Sequence, residues 1–262
     1  MKEVIIITGA TNGIGFELAQ KFLNADEHVV VIGRNQDILD TYKVKFPKAI
    51  ALQADFTDSH QITQTVNEIK DICDKQNFKI KYLVNNAAKI TPLGRLDTQS
   101  MEDFDKIMRL NVKAPLFLTT GLSPLMHEQS RVLNISTRAA QNTYYGVGLY
   151  CATKHALLAL THTLQKEYKN QFAVSHLIPG EVNTNMQKDL RAPSEADFPM
   201  VSFFHENEKN LIPAPLSATF MHWVLTATTS EEFVRDKEWY VYDKSLHSRW
   251  VPEGHIFNYP EP

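Results

Sequence analysis

The sequence predicts a single doubly wound α/β domain, in which a central parallel sheet of about seven strands carries helices on both faces. Two observations support this fold. Seven short apolar runs are bounded by turn residues, as expected of strands that are buried on both faces. The longer stretches between them place apolar residues at three- and four-residue spacing, as expected of helices. The predicted strands are residues 4–7, 29–32, 50–52, 82–84, 132–135, 174–178 and 239–242.

The order of these elements predicts the arrangement of the sheet. Strand and helix alternate about six times, and right-handed crossover connections place each helix against the sheet. Two long central helices are expected over residues 101–126 and 149–171. The clearest helical patterns are Phe16, Leu18, Ala19, Phe22 and Leu23, then Ile62, Val66, Ile69, Ile72 and Cys73, and finally Ala156, Leu157, Leu160, Leu164 and Tyr168.

Length and composition favour one domain over residues 1–262. The chain is 43% hydrophobic, and no fixed-period repeat or glycine–serine linker divides its 262 residues. Residues 185–215 combine prolines with an aromatic cluster and are predicted to form a mobile flap over a pocket; a helical excursion that fills the core is the alternative. The aromatic tail, residues 245–262, is expected to pack on its own subunit or on a partner.

Charge and cysteine content exclude several classes of function. Lysine and arginine number 27, aspartate and glutamate number 30, and the net charge of −3 provides no bulk attraction to nucleic acid or anionic lipid. No apolar run reaches the length of a membrane span. Two cysteines, Cys73 and Cys151, favour a reducing cytoplasm over a disulfide framework. The ten histidines are scattered without H-E-x-x-H, so no metal site is expected.

A glycine-rich turn follows the first strand. Residues 8–15 read T-G-A-T-N-G-I-G and lead directly into a helical pattern. Backbone N–H groups and the positive end of a helix dipole then face one point, where glycines allow a pyrophosphate to approach closely. The spacing G-x-x-x-G-x-G differs from the general G-x-G-x-x-G fingerprint, and an ordinary tight turn is the alternative.

The end of the second strand bears on the choice of dinucleotide. In NAD-binding sites an acidic residue at this place binds the ribose 2′-hydroxyl. Here Gly33 occupies the expected position of the acid, and Arg34 supplies a planar guanidinium suited to a 2′-phosphate. The sequence therefore predicts NADP(H) rather than NAD(H), unless Arg34 is only a solvated charge.

Tyr150 and Lys154 lie four residues apart in a predicted helix and hence on one face. A tyrosine with a pKa near 10 exchanges protons poorly at neutral pH, and a neighbouring lysine is expected to lower that pKa. Taken alone, the pair could be an ordinary surface contact. Polar residues after two other strands, Asn134 to Thr137 and Asn85 to Ala88, would face the same crevice. Asn111 interrupts an apolar helical stretch; it could also be an ordinary core amide.

Together these motifs resemble the short-chain dehydrogenase/reductase family. The match extends from Val4 to about Met186, with a looser continuation to Tyr242. The resemblance implies that Asn111, Thr137, Tyr150 and Lys154 are catalytic. It also implies a cofactor site formed by Gly9, Thr11, Asn12, Gly13, Ile14, Gly15, Arg34, Asn35, Asp55, Phe56, Asn86, Ala87, Tyr150, Lys154, Pro179, Gly180, Val182 and Thr184.

Two positions depart from the family pattern. Ala88 stands where the family's N-N-A-G motif has glycine, which removes no chemistry. Thr137 stands thirteen residues before Tyr150, where the family has its catalytic serine, and Ser136 is the alternative hydroxyl. Because strand side chains alternate between faces, Ser136 is expected to point away unless the strand bulges.

The resemblance implies an NADPH-dependent carbonyl reductase in which Tyr150 donates the proton, Thr137 binds the carbonyl oxygen and Asn111 positions a water. Within the family, residues 149–154 and 182–187 resemble sepiapterin reductase and bacterial benzil reductase, which reduce vicinal dicarbonyl compounds. Phe198, Met200, Phe203 and Phe204 favour an uncharged substrate, whereas Arg191, His205 and Lys209 weaken that inference.

Two other functions stay open. One is a catalytically silent NADP(H)-binding sensor or interaction protein; the other is an NAD(P)-dependent alcohol dehydrogenase of the same family. Relatives commonly pair their two long central helices across a two-fold axis, so the resemblance also implies a homodimer or homotetramer. A small-molecule carbonyl substrate is the expected ligand.

Overall fold

The computed structural model describes residues 2–235 and 237–261. Within that part of the chain, seven strands form one parallel sheet in the order β3-β2-β1-β4-β5-β6-β7. The doubly wound Rossmann-type fold predicted from the sequence is therefore confirmed. The strands are β1 (Lys2–Thr8), β2 (His28–Gly33), β3 (Ala49–Gln53), β4 (Phe78–Asn85), β5 (Met126–Ile135), β6 (Ala173–Ile178) and β7 (Trp239–Tyr240).

Helices cover both faces of this sheet. The α-helices of the described chain are α1 (Gly13–Asn24), α2 (Gln36–Lys45), α3 (Ser59–Gln76), α4 (Met101–Met108), α5 (Ala114–Leu122), α6 (Gly148–Glu167), α7 (Asn185–Leu190), α8 (Val201–Glu206), α9 (Ala214–Thr226), α10 (Ser230–Phe233) and α11 (Lys244–Trp250). Helices α1, α2, α9, α10 and α11 contribute to the core on one face. Helices α3, α5 and α6 contribute to the core on the other.

Strand β1 shows how the apolar runs form two cores. Ile5 and Ile7 belong to the first cluster, whereas Val4 and Ile6 belong to the second. Successive side chains of a strand point to opposite faces, so a continuous apolar run is required where both faces are covered. The sheet is thus buried from both sides, and its functional groups lie beyond the strand ends.

The central helices end earlier than predicted. Residues 101–125 form α4, a π-helical segment at Arg109–Lys113, α5 and a 3₁₀ turn, but Met126 already begins β5. Helix α6 ends at Glu167 instead of 171, because residues 168–171 form a turn in which Gln171 N–H donates to Tyr168 O. Strand β7 is also shorter than predicted, since the chain turns at residues 241–242 into the Asp243 cap of α11.

The C-terminal segment packs on its own subunit. Phe257 contacts Trp250 and Tyr242 with ring centroids 5.7 Å apart in each case, and Tyr259 with centroids 5.3 Å apart. These rings extend the core that contains α9 and α11. The tail therefore continues the hydrophobic core beyond the last helix.

Three further features bear on the excluded functions. Cys73 and Cys151 are buried free thiols. Among residues 2–235 and 237–261, no helix is long and apolar enough to cross a membrane. The same residues contain no cluster of three or more histidine, cysteine, aspartate or glutamate side chains able to hold a metal ion.

Candidate active site

A cavity of about 950 Å³ lies at the carboxyl ends of the strands. It is lined by residues that follow six strands, among them Gly9 after β1, Asn86 after β4, Thr137 after β5 and Pro179 after β6. In doubly wound sheets, this edge is where ligands bind. The glycine-rich turn forms one end of the cavity. Residues 185–211 and the loops that face them form the other end, which we call the flap end.

The glycine-rich turn is held in shape by backbone geometry. Gly9 and Gly13 have φ values of +67° and +55°, which favour glycine. A Cβ atom on Gly15 would lie 2.5 Å from Gly9 O, so this glycine is required by close packing. Gly15 does not line the cavity. Its role in the turn is to let the start of α1 pack closely against Gly9.

The turn is fixed to the end of β4. Thr8 Oγ1 accepts hydrogen bonds from the N–H groups of Asn86 and Ala87, both at 3.0 Å. The Asn86 side-chain amide in turn donates to Thr8 O at 2.9 Å. Asn86 and Ala87, both predicted cofactor residues, therefore connect the two central strands and line the cavity at the same time.

The residues at this end fit a nicotinamide dinucleotide. Helix α1 starts at Gly13, and its N-cap residue Asn12 makes no side-chain capping bond. The first N–H groups of a helix have no intrahelical acceptor, and here they are available to an anion. Thr11, Asn12, Gly13 and Ile14 all line the cavity beside this helix end.

Strand β2 ends at Gly33, where the sequence analysis looked for the acidic residue of NAD-binding sites. A Cβ atom on Gly33 would lie 2.5 Å from the Thr11 side chain, so Thr11 occupies the space that an acidic residue would need. The Arg34 side chain is 74% exposed and lies 3.8 Å from an Asp55 carboxylate oxygen. Asn35 caps α2 by accepting from Ile38 N–H and does not line the cavity, whereas Asp55 and Phe56 do.

Three side chains that line the cavity lie close together. Tyr150 and Lys154 project from the first two turns of α6, and Lys154 Nζ lies 5.7 Å from the centre of the Tyr150 ring. The Lys154 ammonium donates to Ile135 O at 2.8 Å. Thr137 hydrogen-bonds the Tyr150 hydroxyl. The structure thus brings together one phenol, one hydroxyl and one amine.

Burial controls the protonation of this group. It raises the pKa of Tyr150 above its usual value, and the Thr137 hydrogen bond lowers it by less. Burial also lowers the pKa of Lys154 to about 8. The expected lowering of the Tyr150 pKa by Lys154 is therefore not found, because desolvation opposes the charged form of both groups.

Both residues that carry a candidate hydroxyl, Ser136 and Thr137, line the cavity. Because β5 ends at Ile135, the alternation of faces along the strand does not fix the direction of Ser136, and its orientation stays a prediction. Ser136 N–H donates to Leu177 O at 2.7 Å, which keeps this segment beside β6. Thr137 additionally accepts from Ala139 N–H at 3.4 Å and begins a short 3₁₀ turn.

Asn111 lies behind the cavity wall. It is fully buried within the π-helical segment between α4 and α5, and π segments often occur at functional sites. Its side-chain oxygen accepts from Lys89 N–H at 3.0 Å, and its NH₂ group donates to Lys89 O at 2.9 Å and Thr153 Oγ1 at 3.1 Å. Asn111 therefore links the loop after β4 to α6 through hydrogen bonds.

The segment after β6 joins the two ends of the cavity. Gly180 has φ +90°, and a Cβ atom there would lie 2.5 Å from Ile212. Val182 forms a bridge with Ile212, and a Cβ atom on Gly13 would lie 2.9 Å from the Thr184 methyl group. Pro179, Gly180, Val182 and Thr184 all line the cavity.

Residues 185–215 contain short helices that fill part of the core, and they also contribute to the flap end of the cavity. These residues form α7, α8 and a 3₁₀ turn, and the last two already belong to α9, where Pro215 suits the first helical turn. Phe198 is fully buried in a cluster that includes Tyr150, and it stacks on Phe204 with centroids 5.8 Å apart. The segment is therefore helical and fills a small core, and it also lines the cavity.

Some cavity residues were missed by the sequence analysis. Glu181 lies in the matched Pro-Gly segment; burial raises its pKa, and it accepts a hydrogen bond from Asn207. Gln187, Tyr240 and Tyr242 also line the cavity. Position within the Pro-Gly segment could have identified Glu181, and the subgroup resemblance of residues 182–187 could have identified Gln187, but Tyr240 and Tyr242 come from a segment with no motif.

Comparison with known proteins agrees with this geometry. The profile of the family described as short chain dehydrogenase matches residues 3–195. The chain belongs to the short chain dehydrogenase family. Members act as oxidoreductases on carbonyl or hydroxyl groups, and the function class predicted from the sequence is confirmed at that level.

Relatives within the family support the predicted subgroup. A benzil reductase of the (S)-benzoin-forming type from Bacillus cereus is 29% identical over 204 residues, covering 74% of this chain and 81% of the relative. The corresponding enzyme from Bacillus subtilis is 28% identical over 220 residues, covering 81% and 88%. Dehydrogenase/reductase SDR family member 4 from Oryctolagus cuniculus is 32% identical over 200 residues, covering 72% and 74%.

Solved structures share the fold. KRED1-Pglu superposes with a TM-score of 0.80 at 22% identity, covering 92% of this chain and all of that one. The closed form of serine dehydrogenase complexed with NADP⁺ gives a TM-score of 0.71 at 22% identity, covering 87% and 90%. At 22% sequence identity, these similarities show that the chain has the same fold as these structures.

Proposed function

We propose that the protein is an NADPH-dependent carbonyl reductase that reduces a ketone or vicinal dicarbonyl, with Tyr150 as the proton donor. One observation carries the proposal: the Tyr150 hydroxyl, Thr137 and Lys154 meet in the same cavity as the uncapped start of α1. A proton donor and an anion site in one cavity are the two requirements for reducing a carbonyl with a dinucleotide.

Each side chain has a distinct role in the proposed reaction. The bound dinucleotide supplies a hydride for the carbonyl carbon. Tyr150 stays protonated at neutral pH, because burial raises its pKa, and donates its proton to the carbonyl oxygen. Thr137 hydrogen-bonds the hydroxyl before transfer and the phenolate afterwards, and the Lys154 ammonium favours that phenolate electrostatically.

Asn111 acts indirectly in this scheme. Its side chain holds both main-chain groups of Lys89, so it fixes the loop that lines the cavity next to Ala87 and Ala88. A water in contact with this loop is the proposed path by which Tyr150 recovers its proton. Asn111 is therefore a positioning residue.

Two features support NADPH over NADH. Thr11 fills the space beside Gly33 where an acidic residue would bind a ribose 2′-hydroxyl. Arg34 is largely exposed and free to rotate toward a 2′-phosphate, because its contact with Asp55 is long at 3.8 Å.

Location and assembly are further parts of the proposal. We expect a cytoplasmic protein, because its two cysteines are buried free thiols. We also expect a homodimer or homotetramer that pairs α4, α5 and α6 with a second copy. Met101, Phe104 and Phe117 are large apolar residues exposed on α4 and α5, as such pairing requires.

The test is NADPH oxidation with a panel of ketones and vicinal diketones. Tyr150→Phe should reduce turnover about 100- to 10,000-fold, the usual contribution of a general acid, and leave NADPH binding unchanged. Tyr168→Phe is the matched control, because Tyr168 stacks on Phe172 in the other core and should be neutral. Full turnover by Tyr150→Phe contradicts the mechanism; binding of NADPH without consumption by the wild type favours a sensor.

A further inference from the structure

Three acidic residues line the cavity, and they differ in how their charge is balanced. Asp55 lies 3.8 Å from Arg34, and Asp189 is exposed to solvent. Glu181 is partly buried, and one of its carboxylate oxygens accepts a hydrogen bond from Asn207. Its other oxygen accepts no hydrogen bond from the described residues and is not among their fully buried unpartnered atoms, so it keeps accessible surface. A bound ligand can therefore reach this oxygen.

The position of Glu181 is fixed by contacts on several sides. Its carbonyl oxygen accepts from Ile212 N–H at 2.8 Å, and its own N–H donates to the Tyr242 hydroxyl at 3.4 Å. Gly180, with a φ value of +90°, sets the turn that precedes it. The hydrogen bond from Asn207 connects its side chain to the 3₁₀ turn of the flap end. The carboxylate thus has a defined position, as a residue that selects substrates requires.

The charges around Glu181 leave it without a close counter-ion. Burial raises its pKa, whereas the Asn207 hydrogen bond and the charge of Arg138 lower it. Arg138 acts from a distance, because no lysine, arginine or histidine nitrogen of the described residues forms an ion pair with Glu181; the Arg138 guanidinium lies 3.8 Å from a Glu261 oxygen instead. Charges that are removed from water are normally paired. The missing counter-ion of Glu181 is therefore expected to come from a ligand.

The chemistry of a carboxylate limits the class of that ligand. A carboxylate only accepts hydrogen bonds, and the strongest of these come from cationic donors. An ammonium group on the substrate would supply both the donor and the counter-ion. The aromatic wall formed by Phe198 and Phe204 would contact the apolar part of the same molecule. The cavity therefore suits a ketone that is apolar over most of its surface and carries one positive charge.

We infer that Glu181 determines substrate specificity by pairing with a protonated amino group of the substrate. The preferred substrate is then an amino ketone. Hydride from NADPH adds to the carbonyl carbon, the proton of Tyr150 adds to its oxygen, NADPH becomes NADP⁺, and the product is an amino alcohol. The amino group keeps its charge throughout. The inference rests on the proposed reductase function.

The experiment compares three phenyl ketones that differ at the end of the alkyl chain: β-dimethylaminopropiophenone, which is an ammonium at pH 7, its branched hydrocarbon analogue isocaprophenone, and the neutral donor β-hydroxypropiophenone. For each, kcat/KM is measured with NADPH at pH 7 in the wild type and Glu181→Gln. The wild type should prefer the amino ketone over isocaprophenone by about 10- to 100-fold, as expected for one hydrogen bond between charged groups. Glu181→Gln, which keeps the shape and removes the charge, should lose that preference with isocaprophenone turnover retained.

Further variants separate the charge of Glu181 from its contact with the flap end. Asn207→Ala removes the hydrogen bond to the carboxylate and leaves the charge, so it should retain the amino-ketone preference. Glu206→Gln removes a negative charge at an exposed position of α8 that does not line the cavity; it is the matched control and should behave as the wild type. If Glu181→Gln does not fold, as judged by thermal melting, Glu181→Ala tests the same loss of charge.

The outcomes distinguish this inference from the function on which it rests. No amino-ketone preference in the wild type, or the same preference in Glu181→Gln, overturns the role of Glu181 alone. An equal preference for the hydroxy ketone shows that a donor is recognised without its charge, and overturns the ammonium class. An altered ratio of NADP⁺ to NADPH affinity in Glu181→Gln, with unchanged ketone ratios, assigns the carboxylate to the cofactor and also overturns the inference. Failure to oxidise NADPH with any ketone overturns the proposed function and this inference together.

Discussion

The two ends of the cavity are stabilised in different ways, one mainly by backbone conformation and the other mainly by side-chain packing. At the glycine-rich turn the structure depends on backbone: Gly9 and Gly13 have positive φ values, and Thr8 ties the N–H groups of the β4 end to β1. At the flap end the cavity depends on side chains, among them the buried Phe198 and Gln187. Backbone groups fix the first end, whereas packing between distant segments fixes the second.

This difference predicts how each end responds to mutation. Where the nearest neighbours include main-chain atoms, a side-chain rotation alone cannot make room, so a small added group disturbs binding strongly. A side-chain-built site can repack, so substitutions there change selectivity before they change binding of the dinucleotide. The first two of the following tests concern binding and are ordered by expected effect, and the third concerns stability.

The largest effect is expected from Gly15→Ala. The new Cβ atom would lie 2.5 Å from Gly9 O, a main-chain atom that can move only if the turn changes shape. Overpacking of about 1–3 kcal/mol corresponds to a loss in NADPH affinity of about 10- to 100-fold, measured by fluorescence titration. Gly33→Ala is the comparison variant, since its Cβ meets the Thr11 side chain and should have a smaller effect. Equal effects would contradict the distinction between backbone and side-chain neighbours.

A smaller effect, confined to the flap end, is expected from Phe198→Leu. Phe198 is fully buried in the cluster that contains Tyr150, and loss of ring contacts should loosen the wall on the substrate side. The KM for the ketone should rise about fivefold, the equivalent of about 1 kcal/mol of lost packing, with NADPH affinity unchanged. Phe220→Leu is the control, because Phe220 is equally buried but does not line the cavity. A parallel loss of NADPH affinity would show that the two ends are not independent.

The third test concerns stability rather than binding, at Lys154. Its pKa is about 8 in the folded protein, against an ordinary value of 10.5. Between these pH values the unfolded chain binds a proton that the folded chain does not, so stability should increase as pH rises from 8 toward 10.5. Tyr150 stays protonated over most of this window, because burial raises its pKa.

Lys154→Met tests this pH dependence. At pH 7 the variant avoids burying a charge, an effect of up to about 3 kcal/mol, but it loses the hydrogen bond to Ile135 O, worth about 1 kcal/mol. Its Tm at pH 7 should therefore rise by a few degrees, on the order of 2–4 °C per kcal/mol, and its stability should no longer increase above pH 8. Calorimetry at pH 7 and pH 9.5 measures both. A lower Tm at pH 7 contradicts the desolvation argument.

Local sequence patterns were sufficient to predict the strands of the sheet and the position of the glycine-rich turn. The apolar runs predicted all seven strands, because strands buried on both faces need continuous apolar sequence. The same patterns misplaced the ends of the central helices: Met126 is apolar and fits the helix as well as the strand. Periodicity indicates which residues are buried, but turn geometry decides where an element stops.

The sequence by itself determined the doubly wound fold, the position of the glycine-rich turn and the spacing of Tyr150 and Lys154. Only the tertiary structure decided that Ser136 lines the cavity, that Asn111 clamps Lys89 and that Gln187 has an unpaired oxygen. The physical reason is the range of the interactions. Periodicity and turn chemistry act over a few residues, whereas desolvation and hydrogen bonding depend on every segment that packs around a group.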